Sequence, residues 1–172
     1  MKRIKKQRSR FYDPSSTFPI FLILHNIRST HNVGSIFRTA DAAGVSKIYM
    51  TGYTPTPLDR FGRPRKDIAK VALGAQMSIP WEHFPNIKTL LKKLKEERVQ
   101  IVALEQAENS IDYKTFKPKN SLALILGNEV GGIEKSILKL CDKVVEIPMS
   151  GKKESLNVSV SVGVALFRIL GR

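Results

Sequence analysis

The sequence predicts an α/β protein with a mostly parallel sheet and helices on both of its faces. Short apolar runs of strand length recur along the chain, and segments with apolar residues at helical spacing lie between them. The run FPIFLIL at residues 18–24 is apolar at every position. Such a run is typical of a central strand that helices cover on both sides.

The elements follow in order from this alternation. The predicted strands are residues 18–24, 45–50, 77–79, 100–105, 121–126 and 144–149. The predicted helices are residues 33–43, 67–73, 86–98 and 133–140, with a last apolar element that runs to residue 170. Asn32 is expected to cap the first helix and Gly44 to end it. Residues 51–66 and 106–120 are expected to be loops.

Length and composition predict one domain, residues 18–172, behind a short N-terminal arm of residues 1–17. The chain has 172 residues, of which 42% are hydrophobic, so it can build a core. It has no run of 18 apolar residues and no apolar segment behind its first charges, so we expect neither a membrane span nor a secretory signal. Cys141 is the only cysteine, which excludes an internal disulfide and a cysteine metal cluster. These features indicate a cytoplasmic protein, and Cys141 is expected to be a buried core thiol.

The charge balance is strongly basic. Lys and Arg number 29 against 15 Asp and Glu, a formal net charge of +14. Such an excess favours a polyanion as partner, although a basic surface can also serve solubility alone. Six of the positive charges fall in the first ten residues, which predicts a flexible basic arm, and a second cluster surrounds Phe61 in a loop rich in Pro and Gly. The predicted RNA-binding residues are Lys2, Arg3, Lys5, Lys6, Arg8, Arg10, Arg60, Arg63, Arg65 and Lys66.

Three stretches could carry chemistry, and the first is Asn32-x-Gly34-x-x-x-Arg38. Asn32 and Arg38 are six positions apart, so they do not share a helical face. Both could still reach one site above the sheet if Asn32 lay in the turn before the helix. The alternative is an N-cap followed by a surface arginine.

The second stretch is GNEVGG at residues 127–132, directly after a buried strand. Glycines there let the backbone approach a ligand closely. The stretch matches neither the dinucleotide fingerprint nor a P-loop. Glu129 would repel a phosphate, so the pattern favours a ligand with hydroxyl groups or a positive charge.

The third stretch contains Ser155 and Asn157, behind a strand that breaks at Ser150. A strand, a polar turn and a long apolar element are the parts of a ligand site at the carboxyl end of a sheet strand. Ser155 could instead be only an N-cap. Residues 156–164 alternate as a strand does, whereas the length of the segment and residues 165–170 favour a helix.

Together, in their order and spacing, these stretches resemble the SpoU/TrmH branch of the SPOUT RNA methyltransferases. The matching segments are NVGSIFRTADAAGV, LALILGNEVGGI and VVEIPMSGKKESLNVSVSVGVALF. The resemblance implies that the last segment is a helix and that the C-terminal segment is threaded as a trefoil knot. It also implies a homodimer with the first-motif helix and the last helix at the interface, which suits a stripe of small residues at Ser155, Ser159 and Gly163.

The reaction implied by the resemblance is methyl transfer from S-adenosylmethionine to a ribose 2′-hydroxyl of transfer or ribosomal RNA. The implied cofactor-binding residues are Leu104, Glu105, Gly127, Ile147, Met149 and Leu156. The implied catalytic residues are Asn32, Arg38, Glu129, Ser155 and Asn157. Arginine is a poor base, so the expected role of Arg38 is to orient the hydroxyl and stabilise the developing alkoxide. No metal is expected, and His25 and His31 are expected to be turn residues.

Two alternatives stay open at this stage. A related knotted enzyme could methylate a base nitrogen, but Arg38 in the first motif argues against it. A catalytically silent RNA-binding or ribosome-assembly protein could keep the charge and the fold, but the five polar site residues argue against it. In contrast to larger members of the family, this chain is expected to have no separate N-terminal RNA-binding domain. We therefore expect affinity to come from the basic arm, residues 60–66 and a partner subunit.

Overall fold

The computed structural model describes residues 18–171, and the predicted basic arm lies outside this range. A seven-stranded sheet forms the centre of the molecule. Its strands are β1 (Ile20–His25), β2 (Lys47–Thr51), β3 (Trp81–Phe84), β4 (Gln100–Leu104), β5 (Ile111–Asp112), β6 (Leu122–Leu126) and β7 (Lys143–Glu146). The helices are α1 (Thr30–Ala43), α2 (Lys66–Ala72), α3 (Ala75–Ser78), α4 (Ile87–Glu96), α5 (Lys135–Leu138) and α6 (Val158–Ile169). The strand order is β3-β2-β1-β6-β4-β7-β5, and each pair is parallel.

Hydrophobic clusters cover both faces of the sheet, as predicted from strands that are apolar at every position. Along β1, Leu22 and Leu24 belong to the cluster that contains residues of α1, α2, α3 and α6. Ile23, between them, belongs to the cluster that contains residues of α4 and α5. This alternation follows from the two-residue period of a strand. The predicted α/β class and the helices on both faces are confirmed.

Parallel strands bring their carboxyl ends to one edge of the sheet. The central strands β1, β6 and β4 are paired in register, with Leu24 opposite Leu126 and Leu126 opposite Leu104. The segments that leave these strands therefore start side by side. Crevices at this edge are the usual ligand sites of parallel sheets.

Helix α1 begins earlier than predicted. Ser29 is its N-cap, with extended backbone angles, and the Ser29 hydroxyl accepts a hydrogen bond from the Asn32 N–H at 3.2 Å. The prediction of Asn32 as the cap is wrong, because the serine three residues upstream takes that position. Asn32 lies inside the first turn. Gly44 ends the helix in the left-handed region, as predicted.

Gly34 allows α1 and α2 to pack closely. A Cβ atom there would lie 2.8 Å from the Val71 Cβ and 2.9 Å from the Ile68 carbonyl oxygen. Both distances are shorter than side chains tolerate, so the glycine of the first stretch has a packing role.

Several predicted boundaries are wrong. Residues 77–79 are not a strand, because Ala75–Ser78 form a helical turn and the strand starts after Pro80. The apolar pattern there has another cause, since Ile79 is buried while Met77 is 80% exposed. The predicted loop at 106–120 contains the two-residue strand β5, and the predicted helix at 133–140 shortens to α5.

The alternation of residues 156–164 favoured a strand, whereas the length of the segment and residues 165–170 favoured a helix. The structure has the helix α6 there. The strand before it is shorter than predicted and ends at Glu146. Cys141 is half-buried, not fully buried as expected, and burial raises the pKa of its thiol to about 11. No helix in residues 18–171 combines the length and the apolar character needed to cross a membrane.

Candidate functional site

A cleft of about 560 Å³ opens at the carboxyl edge of the sheet. The six predicted cofactor-binding residues line it, together with three of the predicted catalytic residues. The former are Leu104, Glu105, Gly127, Ile147, Met149 and Leu156, and the latter are Glu129, Ser155 and Asn157. The cleft therefore joins the second stretch, the third stretch and the end of β4.

The turn after β6 closes on itself. The backbones of Asn128 and Gly132 exchange two hydrogen bonds of 3.0 and 3.1 Å. The Asn128 side-chain oxygen accepts from the N–H groups of Val130 and Gly131, at 2.9 and 2.8 Å. These N–H groups are consequently occupied and do not point at a ligand. The turn also ends before α5 begins, so its N–H groups are not donors at the start of that helix.

The glycines at both ends of this turn are required by space. A Cβ atom on Gly127 would lie 2.5 Å from the carbonyl carbon of Gly132. Gly132 has a φ of +62°, and a Cβ atom there would overlap the carboxylate of Glu105. That carboxylate accepts hydrogen bonds from the Ile133 N–H at 2.8 Å and the Gln106 N–H at 3.0 Å. Glu105 therefore fixes the turn as well as lining the cleft.

Glu129 connects the turn to the start of α1. Its carboxylate accepts hydrogen bonds from the N–H groups of Arg28 and Ser29, at 2.9 and 3.2 Å, and from the Asn32 side chain at 2.8 Å. Burial by itself raises the pKa of Glu129, but these hydrogen bonds outweigh it and lower the pKa below its ordinary value. The group is a carboxylate at neutral pH and lies where a helix N-terminus favours negative charge.

Asn157 brings the third stretch to the same point. Its side-chain N–H donates to the Asn32 side-chain oxygen at 3.1 Å. The Asn157 oxygen accepts from the N–H and the hydroxyl of Ser159, which makes Asn157 the N-cap of α6. Ser155 is therefore not the cap, and it lines the cleft instead. Asn32, Glu129 and Asn157 form one hydrogen-bonded chain that joins all three stretches.

Arg38 is not part of this arrangement within one chain. It is exposed and does not line the cleft. Asn32 and Arg38 both lie inside α1, and residues six apart on a helix point in directions roughly 120° apart. The sequence condition for their convergence, Asn32 in the turn, is not met.

Two contacts near the cleft have no signal in the sequence. The Gln106 side chain donates to the carbonyl of Glu154 at 2.6 Å and links the segment after β4 to the third stretch. The Asn128 side chain donates to the carbonyl of Asn26 at 3.0 Å and to the hydroxyl of Tyr53 at 2.8 Å. The second contact ties the loop after β2 to the glycine turn.

His25 lies beneath this edge of the sheet and is buried. Its Nδ1 is 2.8 Å from the Thr51 hydroxyl, and its Nε2 is 3.2 Å from the Asn26 side-chain nitrogen. Burial lowers the pKa of His25, so the ring is neutral at pH 7. His25 is the last residue of β1 and His31 lies in the first turn of α1, so the prediction that both are turn residues is wrong. Within residues 18–171, no three His, Cys, Asp or Glu side chains are grouped as ligands for a metal ion would be.

The predicted RNA-binding residues between positions 60 and 66 differ in exposure and in their partners. Arg60, Arg63 and Lys66 are exposed. Arg63 forms an ion pair of 2.8 Å with Asp59. Arg65 is half-buried, and its Nε atom has no hydrogen-bond partner among the described residues. The residues of the arm, Lys2 to Arg10, lie outside the described range.

The fold and the cleft define an α/β protein with a candidate site at the carboxyl edge of a parallel sheet, assembled from three separate stretches of chain. The chain belongs to the SpoU rRNA Methylase family, whose model matches residues 19–167.

Relatives and solved structures agree with this membership. The chain is 36% identical over 149 residues to the 23S rRNA (guanosine-2′-O-)-methyltransferase RlmB of Escherichia coli K12, covering 87% of this chain and 58% of the relative. An AdoMet-bound rRNA methyltransferase from Sinorhizobium meliloti matches with a TM-score of 0.77 and 28% identity, over 88% of this chain and 55% of that one. The TrmH/SpoU tRNA modifying enzyme of A. aeolicus matches with a TM-score of 0.77 and 27% identity, over 89% and 74%. The chain thus spans little more than half the length of the curated relatives it matches.

Proposed function

We propose that this protein transfers a methyl group from S-adenosylmethionine to a ribose 2′-hydroxyl of RNA. The observation that carries the proposal is the cleft in which three distant stretches meet around the Asn32–Glu129–Asn157 chain. Family membership supports it, since the E. coli relative is a ribose 2′-O-methyltransferase by name and the S. meliloti structure contains AdoMet.

The residues of the cleft fit this cofactor. Leu104, Ile147 and Leu156 supply apolar walls, which suit the adenine ring. The carboxylates of Glu105 and Glu129 suit hydroxyl groups and positive charge, and they disfavour a phosphate. When bound, S-adenosylmethionine supplies an electrophilic methyl group on a positively charged sulfur. It carries no phosphate, in agreement with the occupied N–H groups of the glycine turn.

The polar residues have positioning roles in this proposal. Glu129 holds Asn32, and Asn32 holds Asn157, so a shift of one motif moves the others. Ser155 lies on the wall of the cleft, where its hydroxyl can contact the ribose. Arg38 stabilises the developing 2′-alkoxide through its fixed positive charge.

The homodimer is part of the proposal, because Arg38 needs a route to a cleft. Val160, Val164 and Phe167 leave an apolar strip of α6 at least 37% exposed. A second copy that covers this strip and α1 would bury it. In such a dimer Arg38 of one subunit would act at the cleft of its partner. A Cβ atom on Gly163 would lie 3.7 Å from the Thr39 Cγ2 of its own chain, which is an ordinary contact. The apolar strip therefore supports the dimer better than the stripe of small residues does.

We further propose the trefoil knot for the C-terminal segment. Two features of the chain path support it. Strand β7 pairs with β4 and β5, and the segment after it returns across the sheet so that α6 packs in the same cluster as α1. On that return the segment contacts Gln106 through Glu154 and Asn32 through Asn157.

The proposed substrate is structured RNA, either ribosomal or transfer RNA, in the cytoplasm. The positive charges of the basic arm would add sequence-independent attraction to phosphates. The exposed Arg60 and Lys66 would add further contacts to phosphates.

The test uses the purified chain, labelled S-adenosylmethionine and total cellular RNA, with the RNA separated by size and digested to nucleosides. Label in a 2′-O-methylnucleoside is the expected result, and the labelled size class distinguishes ribosomal from transfer RNA. Label on a base would replace the proposal with base methylation. Absence of both cofactor binding and label would favour a silent RNA-binding protein.

A further inference from the structure

The loop after β2 ends in a small ordered hairpin, residues 58–64, here called the tip. Leu58 and Pro64 form an antiparallel bridge, and the Asp59 N–H donates to the Arg63 carbonyl at 2.9 Å. Gly62 supplies the left-handed residue of the turn, with a φ of +75°. The sequence predicts a loop here, and the structure gives this part of it a fixed shape.

Asp59 is the anchor of the tip. Its carboxylate accepts hydrogen bonds from the N–H groups of Phe61 and Arg63, at 2.8 and 3.0 Å. It also accepts from the Arg63 Nε and pairs with its Nη2, both at 2.8 Å. The Arg63 N–H is the main cause that lowers the pKa of Asp59. The anchor is therefore charged throughout the neutral range.

Phe61 is presented to solvent by this scaffold. Its ring is 65% exposed, although it is one of the large hydrophobic residues. The guanidinium carbons of Arg60 and Arg63 lie 4.7 and 4.9 Å from the ring centroid. Asp59 holds Arg63 beside the ring, whereas Arg60 is a second cation near the same exposed ring and is repelled by the first. A ligand with a flat face and a nearby negative charge would resolve this arrangement.

The two arginines differ in how firmly they are held. Arg63 is fixed by Asp59, whereas Arg60 has no ion pair in the part of the chain that the structure describes. Arg60 can therefore move aside without loss of a salt bridge. A base could then stack on Phe61, with the Arg60 guanidinium against the base or its phosphate.

We propose that the tip is a binding site for one unpaired base of RNA, stacked on Phe61 and held by Arg60. The inference rests on the proposed function in that the ligand is RNA. A paired base offers no free face, so the site selects single-stranded or looped RNA. The ordered tip also avoids most of the entropy cost of forming such a site on binding.

The tip is near enough to the cleft to act on the same RNA segment. The Tyr53 hydroxyl is bonded to Asn128 of the glycine turn. Phe61 follows Tyr53 by eight residues, and a chain of that length spans at most about 29 Å. The stacked base and the methylated ribose are therefore expected to lie within one loop of the substrate.

The test compares Phe61→Leu with Phe61→Tyr in binding a single-stranded adenosine dodecamer and an abasic strand of equal length. We expect wild type and Phe61→Tyr to bind the strand with bases about 5- to 160-fold more tightly than the abasic strand, the range for stacking of one base. Phe61→Leu should lose this preference and keep the salt dependence, because no charge is removed. A Phe61→Leu variant that keeps the full preference for bases would overturn the proposal.

A Phe61→Trp variant gives a second readout. Its fluorescence, against the constant background of Trp81, should be quenched by the strand with bases and not by the abasic strand. Equal quenching by both would contradict stacking. Neither experiment needs cofactor or turnover, so failed methylation with intact stacking refutes only the proposed function. Methylation of RNA without any role for Phe61 refutes only the site at the tip.

Discussion

The cleft and the tip lie on segments that leave the same edge of the sheet, but their functional groups differ in how they are held. Those of the cleft are hydrogen-bonded to other groups of the chain, whereas those of the tip are exposed. At the cleft, the side chains of Glu129 and Asn157 are both bonded to Asn32, and Glu129 also accepts from backbone N–H groups. At the tip, a bonded anchor at Asp59 serves to expose Phe61 and Arg60. The cleft is therefore shaped in advance for a small ligand of fixed geometry. The tip is a prepared surface for a large and variable one.

This difference separates two kinds of failure. A change in the cleft should alter cofactor binding or the chemical step and leave affinity for RNA close to normal. A change at the tip or in the basic arm should alter RNA binding and leave the cofactor unaffected. Five measurements can show whether the cleft and the RNA-binding surface act separately.

Replacement of Arg38 by Ala is expected to have the largest effect. Loss of a group that stabilises a developing oxyanion costs about 10²–10³ in turnover. Binding of S-adenosylmethionine should stay near normal, because Arg38 does not line the cleft. Single-turnover methylation and calorimetry measure the two quantities. Loss of cofactor binding would show that the role assigned to Arg38 is wrong.

Mixing two inactive variants shows where Arg38 acts. Arg38→Ala and Glu129→Gln subunits are exchanged to form mixed dimers. If Arg38 serves the partner's cleft, each mixed dimer has one intact site, and roughly a quarter of wild-type activity should return for a twofold dimer. If Arg38 serves its own cleft, no activity should return. Mixing each variant with itself is the control.

Gly127→Ala should damage the cleft alone. Its Cβ would collide with the backbone of Gly132, and overpacking of this kind costs about 1–3 kcal/mol of stability. Thermal unfolding should show a lowered midpoint, and methylation should fall. Gly151→Ala is the matched control, because a Cβ there meets no atom within 4 Å. If both variants had the same unfolding midpoint and the same methylation activity, the turn would not require glycine at position 127.

Deletion of residues 2–10 tests the basic arm. Removing its six positive charges should weaken RNA binding and flatten its salt dependence by about 0.7–0.9 units of log–log slope per lost phosphate contact. Binding measured at several salt concentrations gives the slope, and Phe61→Leu, which removes no charge, is the comparison. An unchanged slope would mean that the arm does not contact phosphate.

The pH dependence of stability should be the smallest effect. The pKa of His25 is lowered in the folded protein, so the unfolded chain binds the proton more readily. The stability that neutral His25 contributes is complete above pH 6.5, the ordinary value, and is lost as pH falls through the folded pKa. Urea unfolding from pH 5 to 8 should show this decline for wild type. His25→Gln should reduce this decline. An equal dependence of stability on pH in both proteins would mean that another group causes the decline.

The sequence predicts much of the fold, because periodicity reports burial. Strands apolar at every position correctly indicated a mostly parallel sheet with helices on both faces, and Gly44 marked the end of α1. The strand predicted at residues 77–79 is wrong, because Met77 and Ile79 are apolar residues two positions apart, as on one face of a strand, but only Ile79 is buried. The start of α1 was misplaced because Ser29 and Asn32 are both good caps and sequence alone does not rank them.

The site was predictable in part. The resemblance named the residues that line the cleft, but it could not give their partners. Glu129 accepts from backbone N–H groups about a hundred positions away in the chain, and such a contact depends on the sheet order. The anchor at Asp59 was missed for a different reason. A short segment with Asp, Arg and Gly predicts only an irregular loop, because the hydrogen bonds that order it are not evident from the sequence.

Calorimetric titration of S-adenosylmethionine into wild type, Phe61→Leu and Gly127→Ala, without RNA, tests the separation of cleft and tip most directly. We expect wild type and Phe61→Leu to bind one molecule per chain with equal affinity, and Gly127→Ala to bind much more weakly. Absence of binding to wild type would refute the cofactor site. Weakened binding in Phe61→Leu together with normal binding in Gly127→Ala would reverse the roles assigned to the two regions.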